Sequence, residues 1–137
     1  MIEVVISKIK IDELHEGQMI FLKEKDGERV LPVVIGIAEI SSIKYKLSGV
    51  VMPRPLTHDL LSSVIKSVNA SVNYVVIDKL EDNTFFAKIS LKKENGETVA
   101  VDARPSDSIA LAIRDDVSIF VEDDVMNIAG IYLNGGT

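Results

Sequence analysis

The spacing of apolar residues changes along the chain, and this change most narrows the folds the chain can adopt. Apolar residues alternate with polar ones over much of residues 2–35, recur at helical spacing over 37–47 and again over 57–68, and alternate once more over 72–103. In the second helical stretch the apolar stripe expected to be buried is Leu60, Leu61, Val64, Ile65 and Val68. A helix over 107–114 and a short apolar strand over 117–121 follow. Because strands and helices come in blocks, the order predicts the α+β class, with a mixed or antiparallel sheet and three main helices.

One domain is predicted over residues 1–137. No linker, repeat or low-complexity stretch interrupts the sequence. A chain of this length can bury a core without disulfides or a structural metal. We expect that core over about residues 1–125, while the tail over 126–137 receives no assigned element. Its apolar segment 128–133 could add a strand or dock on a second copy, so a homodimer is also predicted.

Composition excludes several kinds of protein. The chain has no cysteine, which rules out disulfides, thiol catalysis and Cys-ligated zinc. It shows no secretory signal and no apolar run of the ~18 residues that span a bilayer. A soluble, cytoplasmic protein without membrane contact is therefore expected. The formal charge of −6 argues against coating nucleic acid through bulk positive charge, but it permits a local basic site.

Two segments carry an Arg-Pro pair close to the start of a predicted helix. They are residues 53–60, Pro-Arg-Pro-Leu-Thr-His-Asp-Leu, and residues 102–107, Asp-Ala-Arg-Pro-Ser-Asp. A helix N-terminus presents backbone N–H groups without partners, and a nearby guanidinium can grip a phosphate or carboxylate. Each segment therefore predicts an anion site, and we expect both arginines to face one pocket.

The polar residues at these helix starts also have ordinary structural explanations. Thr57 and Ser106 could be helix caps, and Thr57 is placed as the N-cap of its helix. Arg54 and Arg104 could form surface salt bridges with nearby aspartates. His58 could be a general base, a metal ligand or an exposed residue of the first turn. These alternatives stay open on the sequence alone.

The remaining titratable residues are less specific. Glu39, near the start of the first helix, could join Asp59, Asp102 and Asp107 in a carboxylate cluster that binds Mg²⁺ or Mn²⁺. The same acids could instead favour helix N-termini or pair with arginines. His15, between two glutamates near a turn, is expected to be solvated. The sequence contains no zinc-protease, P-loop, nucleophile-elbow or dinucleotide-binding motif.

Taken together, these segments resemble the bifunctional nuclease family. The matching stretches are residues 31–36 with Glu39, then 53–61, 84–87 and 102–112, and the resemblance covers about residues 1–125. Small departures are Ile40 and Ser41, where relatives are more alanine-rich, and Phe86, where tyrosine is common. The resemblance implies hydrolysis of both DNA and RNA with little sequence preference.

Roles for individual residues are hypotheses from their chemistry and position, and not from the resemblance. The catalytic candidates are Arg54, His58, Asp59, Arg104 and Asp107. The substrate-binding candidates are Arg54, Thr57, Arg104 and Ser106. The candidate ligands of a divalent cation, Mg²⁺ or Mn²⁺, are Glu39 and Asp102, and no organic cofactor is predicted. A non-enzymatic regulatory module that binds a phosphate-bearing ligand or an acidic partner stays open as the alternative.

Overall fold

The structure, a computed structural model, describes residues 1–12 and 17–133. The predictions for His15, for residues 13 and 14 of the first strand and for the last four residues of the tail lie outside this part. The strands are β1 Ile2–Asp12, β2 Gly17–Glu24, β3 Arg29–Ile35, β4 Ala70–Glu81, β5 Thr84–Lys93, β6 Thr98–Ala103, β7 Ile119–Val121 and β8 Ile131–Tyr132. The helices are α1 Ile37–Leu47, α2 Thr57–Ser67, α3 Pro105–Asp115 and α4 Asp123–Ala129.

The strands form one mixed sheet in the order β6-β5-β4-β7-β1-β2-β3-β8. Two antiparallel meanders, β1-β2-β3 and β4-β5-β6, are joined by β7, which runs parallel to β4 and antiparallel to β1. The apolar alternation in β1 changes parity after Ile6, which predicts a bulge near Ser7 and Lys8. The register between β1 and β2 does shift between Ile6 and Lys8, so this prediction is confirmed.

The predicted fold class needs a correction, because the described part of the chain contains four helices and not three. The additional helix, α4, occupies the tail. It has only seven residues, too few for a clear helical period, although Asp123 and Asp124 suit the positive end of a helix. Val125 and Met126 are buried, and β8 pairs with β3, so the tail contributes to the core and adds a strand to the chain's own sheet.

The orientation of α2 also differs from the prediction. Its apolar stripe was expected to face the core, but four of its members are exposed: Leu60, Leu61, Val64 and Val68. The buried residues of α2 are instead His58, Ser62 and Ile65. Ser62 Oγ donates to Asp115 Oδ1 over 2.6 Å, and His58 bonds to Asp107 of the same neighbouring helix. These hydrogen bonds satisfy the polar side chains that α2 buries against α3.

Helix α3 holds the helical layer together. It contacts both α1 and α2 and packs on strands β3, β4 and β5. The middle of the helix supplies fully buried residues: Ile109, Ala110, Leu111 and Ala112. This packing brings side chains from α1 and from the starts of α2 and α3 into contact. None of the helices in the described ranges is long and apolar enough to cross a membrane.

Candidate functional site

The start of α2 is capped by an aspartate from inside the helix. Its N-cap residue is Leu56, so the prediction that Thr57 is the N-cap is wrong. Thr57 is the first helical residue and is exposed. Asp59 Oδ2 accepts a hydrogen bond of 3.0 Å from the backbone N–H of Leu56. This bond satisfies the N–H of the N-cap residue itself, as the side chain of the third helical residue does in a capping box, and Thr57 takes no part in it.

The start of α3 places its arginine at the N-cap itself. Arg104 is the N-cap residue and Pro105 is the first helical residue, a position where a missing N–H costs nothing. Ser106 follows and is buried, and Asp107 lies in the first turn. Ser108 Oγ donates to the Arg104 carbonyl over 3.0 Å. These residues fix Asp107 beside the guanidinium of Arg104.

His58 is buried at the junction of three helices, which excludes the exposed first-turn alternative. Its Nδ1 lies 3.0 Å from Ser42 Oγ on α1, and its Nε2 lies 3.0 Å from Asp107 Oδ1 on α3. A carboxylate accepts hydrogen bonds, so the proton of a neutral imidazole belongs on Nε2 and Nδ1 can accept from the serine hydroxyl. Both ring nitrogens have partners, and the orientation of the ring is therefore fixed.

Arg104 ties two carboxylates together at the edge of this junction. Its Nε donates to Asp107 Oδ2 over 2.8 Å, and its Nη2 donates to Asp107 Oδ1 over 3.1 Å and to Glu39 Oε1 over 2.8 Å. The guanidinium stays accessible, since the side chain is 66% exposed. Within the described part of the chain these bonds use Nε and Nη2, which leaves Nη1 available to an incoming anion.

The charges of this network are stabilised by each other. Hydrogen bonds to Asp107 and then to Glu39 raise the pKa of Arg104 above its usual range. Burial acts to raise the pKa of Asp107, but hydrogen bonds from Arg104 and His58 outweigh it and lower the pKa overall. Asp107 is therefore ionised at neutral pH and can orient His58. We call Ser42, His58, Asp107, Arg104 and Glu39 the histidine network.

A second ion pair supports the segment that carries Arg54. Arg114 Nε donates to Asp59 Oδ1 over 2.6 Å, and Arg114 Nη1 lies 3.4 Å from the Ser42 carbonyl. The Arg114 side chain is only 6% exposed. The hydrogen bond from Leu56 N–H lowers the pKa of Asp59, and the bond from Arg114 adds to the effect. Arg114 thus connects the C-terminal turn of α3 to the start of α2.

Two adjoining clefts border these groups. The larger, about 480 Å³, contains three cationic side chains, Lys46, Arg54 and Arg114, and one carboxylate, Asp59. Its charge is thus positive, in contrast to the charge of −6 for the whole chain.

The smaller cleft, about 250 Å³, is lined by Glu39, Ser42 and His58. Tyr45 and Leu56 line both clefts. Arg104 lines neither, so the expectation that both arginines face one pocket is wrong. Arg104 reaches the smaller cleft through its partner Glu39.

The predicted cation ligands do not fit a shared metal site. Glu39 is bound to Arg104, whereas Asp102 lies on β6 with its side chain 76% exposed and 3.3 Å from Lys88 Nζ. Over residues 1–12 and 17–133, no group of three or more His, Cys, Asp or Glu side chains is placed to hold a metal ion. The requirement for Mg²⁺ or Mn²⁺ stays a prediction, and no catalytic step is derived through a metal here.

Two members of the site were missed by sequence reasoning. Ser42 follows Glu39 by three residues, a spacing that puts both on one face of α1, and this was the available signal. Arg114 lies in the last turn of α3, where a positive charge is favourable in any helix, so its position gave no signal of a partner. Their partners lie 16 and 55 residues away, and no local pattern reports such contacts.

The fold and the site define an α+β domain with a buried histidine network beside a cationic cleft. A family model described as the bifunctional nuclease domain matches residues 20–134. The chain therefore belongs to the bifunctional nuclease domain family, which confirms the resemblance seen in the sequence.

Individual relatives agree with this membership. An uncharacterized protein of Mycobacterium tuberculosis (strain ATCC 25618 / H37Rv) is 37% identical over 131 residues, covering 96% of this chain and 77% of the relative. Bifunctional nuclease 2 of Oryza sativa subsp. japonica is 28% identical over 124 residues, covering 88% of this chain and 38% of the relative. Bifunctional nuclease 1 of Arabidopsis thaliana is 29% identical, with 74% and 32% covered. The chain thus corresponds to about a third of the length of these plant proteins.

Proposed function

We propose that this chain is a nuclease that hydrolyses phosphodiester bonds of DNA and RNA with little sequence preference. The observation that carries the proposal is the cationic cleft next to a buried histidine that is oriented by a carboxylate. Such an arrangement provides an anion site and a proton acceptor at adjoining positions. Membership in the family and the names of the plant relatives support the same class of activity.

The cleft binds the backbone of the nucleic acid. Lys46 and Arg54 donate to phosphate oxygens, while Arg114 stays paired with Asp59 and adds positive potential. The rest of the chain is acidic, so binding is confined to this surface and weakens strongly as salt is raised. Contacts to phosphate carry no sequence information, which accounts for a low sequence preference.

The histidine network supplies the chemistry. Asp107 holds the Nε2–H of His58, so Nδ1 can accept a proton at the smaller cleft from a water that takes the place of Ser42 Oγ. The oxygen of that water bonds to phosphorus as one P–O ester bond breaks, and the leaving oxygen takes a proton from solvent. Asp107 then stabilises the imidazolium. Arg104 Nη1 donates to the phosphate as negative charge develops on it. Thr57 and Ser106 remain candidate substrate contacts at the two helix starts.

The experiment is turnover of supercoiled plasmid and of total RNA by highly purified protein, with and without EDTA. His58→Gln is expected to lower kcat about 100-fold or more, because a general base contributes roughly that factor. Arg54→Ala is expected to raise KM. The matched control is Lys92→Ala, which removes the same charge from an exposed position on β5. If all three variants cleave at the wild-type rate, the activity belongs to a contaminant or to another site.

A second candidate is a regulatory module that binds a phosphate-bearing small ligand without cleaving it. Both nitrogens of His58 are satisfied inside the protein, and a cleft of about 480 Å³ has the size of a small-ligand pocket. Thermal shift with nucleoside mono- and diphosphates distinguishes the two functions. Stabilisation that Arg54→Ala abolishes, in protein without nuclease turnover, would favour the regulatory module.

Homodimerisation and a cytoplasmic location belong to the same proposal. The exposed apolar residues of α2 and of the tail give a second copy a surface to cover, among them Leu60, Val64, Val68 and Ile128. Sedimentation equilibrium of the purified chain measures this directly, and a mass of one chain at micromolar concentration would exclude the dimer.

A further inference from the structure

We infer that the strand in the site is unpaired, with one base stacked on Tyr45 and the flanking phosphates on Lys46 and Arg54. Single-stranded DNA and RNA are then bound in preference to duplexes. This inference rests on the proposed function, since it names the form of nucleic acid that the same site accepts.

Tyr45 occupies the seam between the two clefts. It lies near the C-terminal end of α1, is 40% exposed and lines both the cationic cleft and the cleft that contains His58. Aromatic residues make up only 5% of the chain. A partly exposed aromatic ring that lines the same cleft as Lys46 and Arg54 is the combination that single strands require: a surface for bases and cations for phosphates.

The wall of the cationic cleft next to Tyr45 is apolar. Val50, Val51 and Met52 line it, and all three are exposed, Val51 to 91%. Pro53 and Pro55 continue the same wall. Exposed apolar side chains gain from being covered, and the faces of unpaired bases offer flat apolar area to cover them. This wall has no evident use if only phosphates enter the cleft.

The position of His58 points in the same direction. Its ring is buried at the smaller cleft, so the nucleic acid has to enter that cleft to reach it. A base in a duplex is stacked and paired, so it cannot reach Tyr45 without being extruded, and extrusion costs free energy. An unpaired strand bends into the cleft without that cost. Stacking accepts every base, which agrees with a low sequence preference.

The test is fluorescence anisotropy of labelled 12-residue oligonucleotides, measured on ice and followed by a gel that checks each probe is intact, so that binding is separated from turnover. The probes are oligothymidylate, its duplex with oligoadenylate and a strand of equal phosphate number with abasic positions at its centre. We expect the single strand to bind at least tenfold more tightly than either of the other probes. Equal or tighter binding of the duplex would overturn the inference.

Variants at Tyr45 locate the effect. Tyr45→Leu is expected to weaken single-strand binding about tenfold, because one base–aromatic stack is lost, while Tyr45→Phe stays within twofold of the wild type. Tyr132→Leu is the matched control, since Tyr132 is also exposed but lies on β8. Unchanged binding by Tyr45→Leu, with its fold confirmed by circular dichroism, would also overturn the inference.

The outcomes for binding and for catalysis are separable. Single-strand preference without any plasmid or RNA cleavage would reject the nuclease proposal and keep the inferred ligand. Cleavage that depends on His58, with no preference among the three probes, would keep the nuclease and reject the inference. Each proposal can therefore fail alone.

Discussion

The starts of α2 and α3 carry the same Arg-Pro pair but use it differently. Arg104 is the N-cap of α3 and is bound by Asp107 and Glu39. Arg54 precedes the N-cap of α2 by two residues and lines an open cleft, and no ion pair involving it is present among the described residues. One arginine organises the histidine network, and the other is available to a ligand.

The difference follows from position along the helix and not from residue type. Counted from each N-cap, Asp59 and Asp107 occupy the same third position. Asp107 has an arginine at its N-cap and binds it, whereas Asp59 has Leu56 there and binds its backbone N–H. Asp59 consequently takes its positive partner from Arg114, in another helix. Relative to the N-cap, the Arg-Pro pair of α2 lies two residues earlier than that of α3. The aspartate of α3 therefore binds the arginine of its own Arg-Pro pair, and the aspartate of α2 binds Arg114 instead.

The largest expected effect comes from breaking the ion pair that supports the start of α2. Arg114→Met should lower the free energy of unfolding by about 2–3 kcal/mol, less than the 3–5 kcal/mol typical of a fully buried pair, because Asp59 remains 43% exposed. Arg54→Met should change it by no more than about 0.5 kcal/mol. Urea denaturation measures both, and equal losses would contradict the view that Arg114 supports the start of α2 while Arg54 is available to a ligand.

A smaller effect is expected from pH. The pKa of Asp59 is lowered by the Leu56 N–H bond and Arg114, and that of Asp107 is lowered because hydrogen bonds outweigh burial. An aspartate whose pKa is lower in the folded state than in the unfolded state, where it is about 3.9, stabilises the folded protein at pH values above the unfolded-state pKa. This stabilisation is lost as the pH falls through the pKa of the folded state.

Stability should therefore fall as the pH is lowered below about 4. Asp59→Asn and Asp107→Asn should each lower the free energy of unfolding by about 1 kcal/mol at pH 7. This is the contribution of a hydrogen bond to a charged group, reduced because the group is partly exposed. On acidification, each variant should lose less stability than the wild type. Thermal unfolding between pH 3 and 7 provides the measurement. A variant that keeps the full acid sensitivity of the wild type would show that its aspartate is not responsible.

The smallest effect is expected at Thr57. Thr57→Ala should change the free energy of unfolding by less than about 0.5 kcal/mol, because Thr57 is an exposed first-turn residue and Asp59 provides the cap. A threonine that acted as N-cap would cost about 1 kcal/mol or more when replaced by alanine. Urea denaturation that shows such a loss would restore Thr57 as the cap and contradict the comparison of the two helix starts.

Local signals predicted much of the fold. The alternation of apolar residues identified the long strands, and helical spacing gave the bounds of α1 as the structure has them. The short elements α4 and β8 were not predicted, because segments of seven and two residues show almost no periodicity of apolar residues. The prediction of which face of α2 is buried was wrong. Hydrogen bonds from His58 and Ser62 to α3 turn the polar side of the helix inward and leave most of its apolar stripe exposed.

The candidate site was less predictable than the fold. The pair Arg104 and Asp107 lies within one helical turn, a spacing that sequence reasoning covers. Glu39 meets Arg104 across 65 residues, and His58 meets Asp107 across 49. Which distant side chains meet depends on how α1, α2 and α3 pack together. The sequence therefore supplied most of the candidates, and the packing decided the partners.

The short strand β7 has a consequence for how the chain is made. Residues 119–121 lie between β4 of one meander and β1 of the other and pair with both. During synthesis on the ribosome, each meander can form hairpins as its own strands emerge. The two halves acquire their shared hydrogen bonds only when residues 119–121 leave the exit tunnel, after the strands of both meanders have been made.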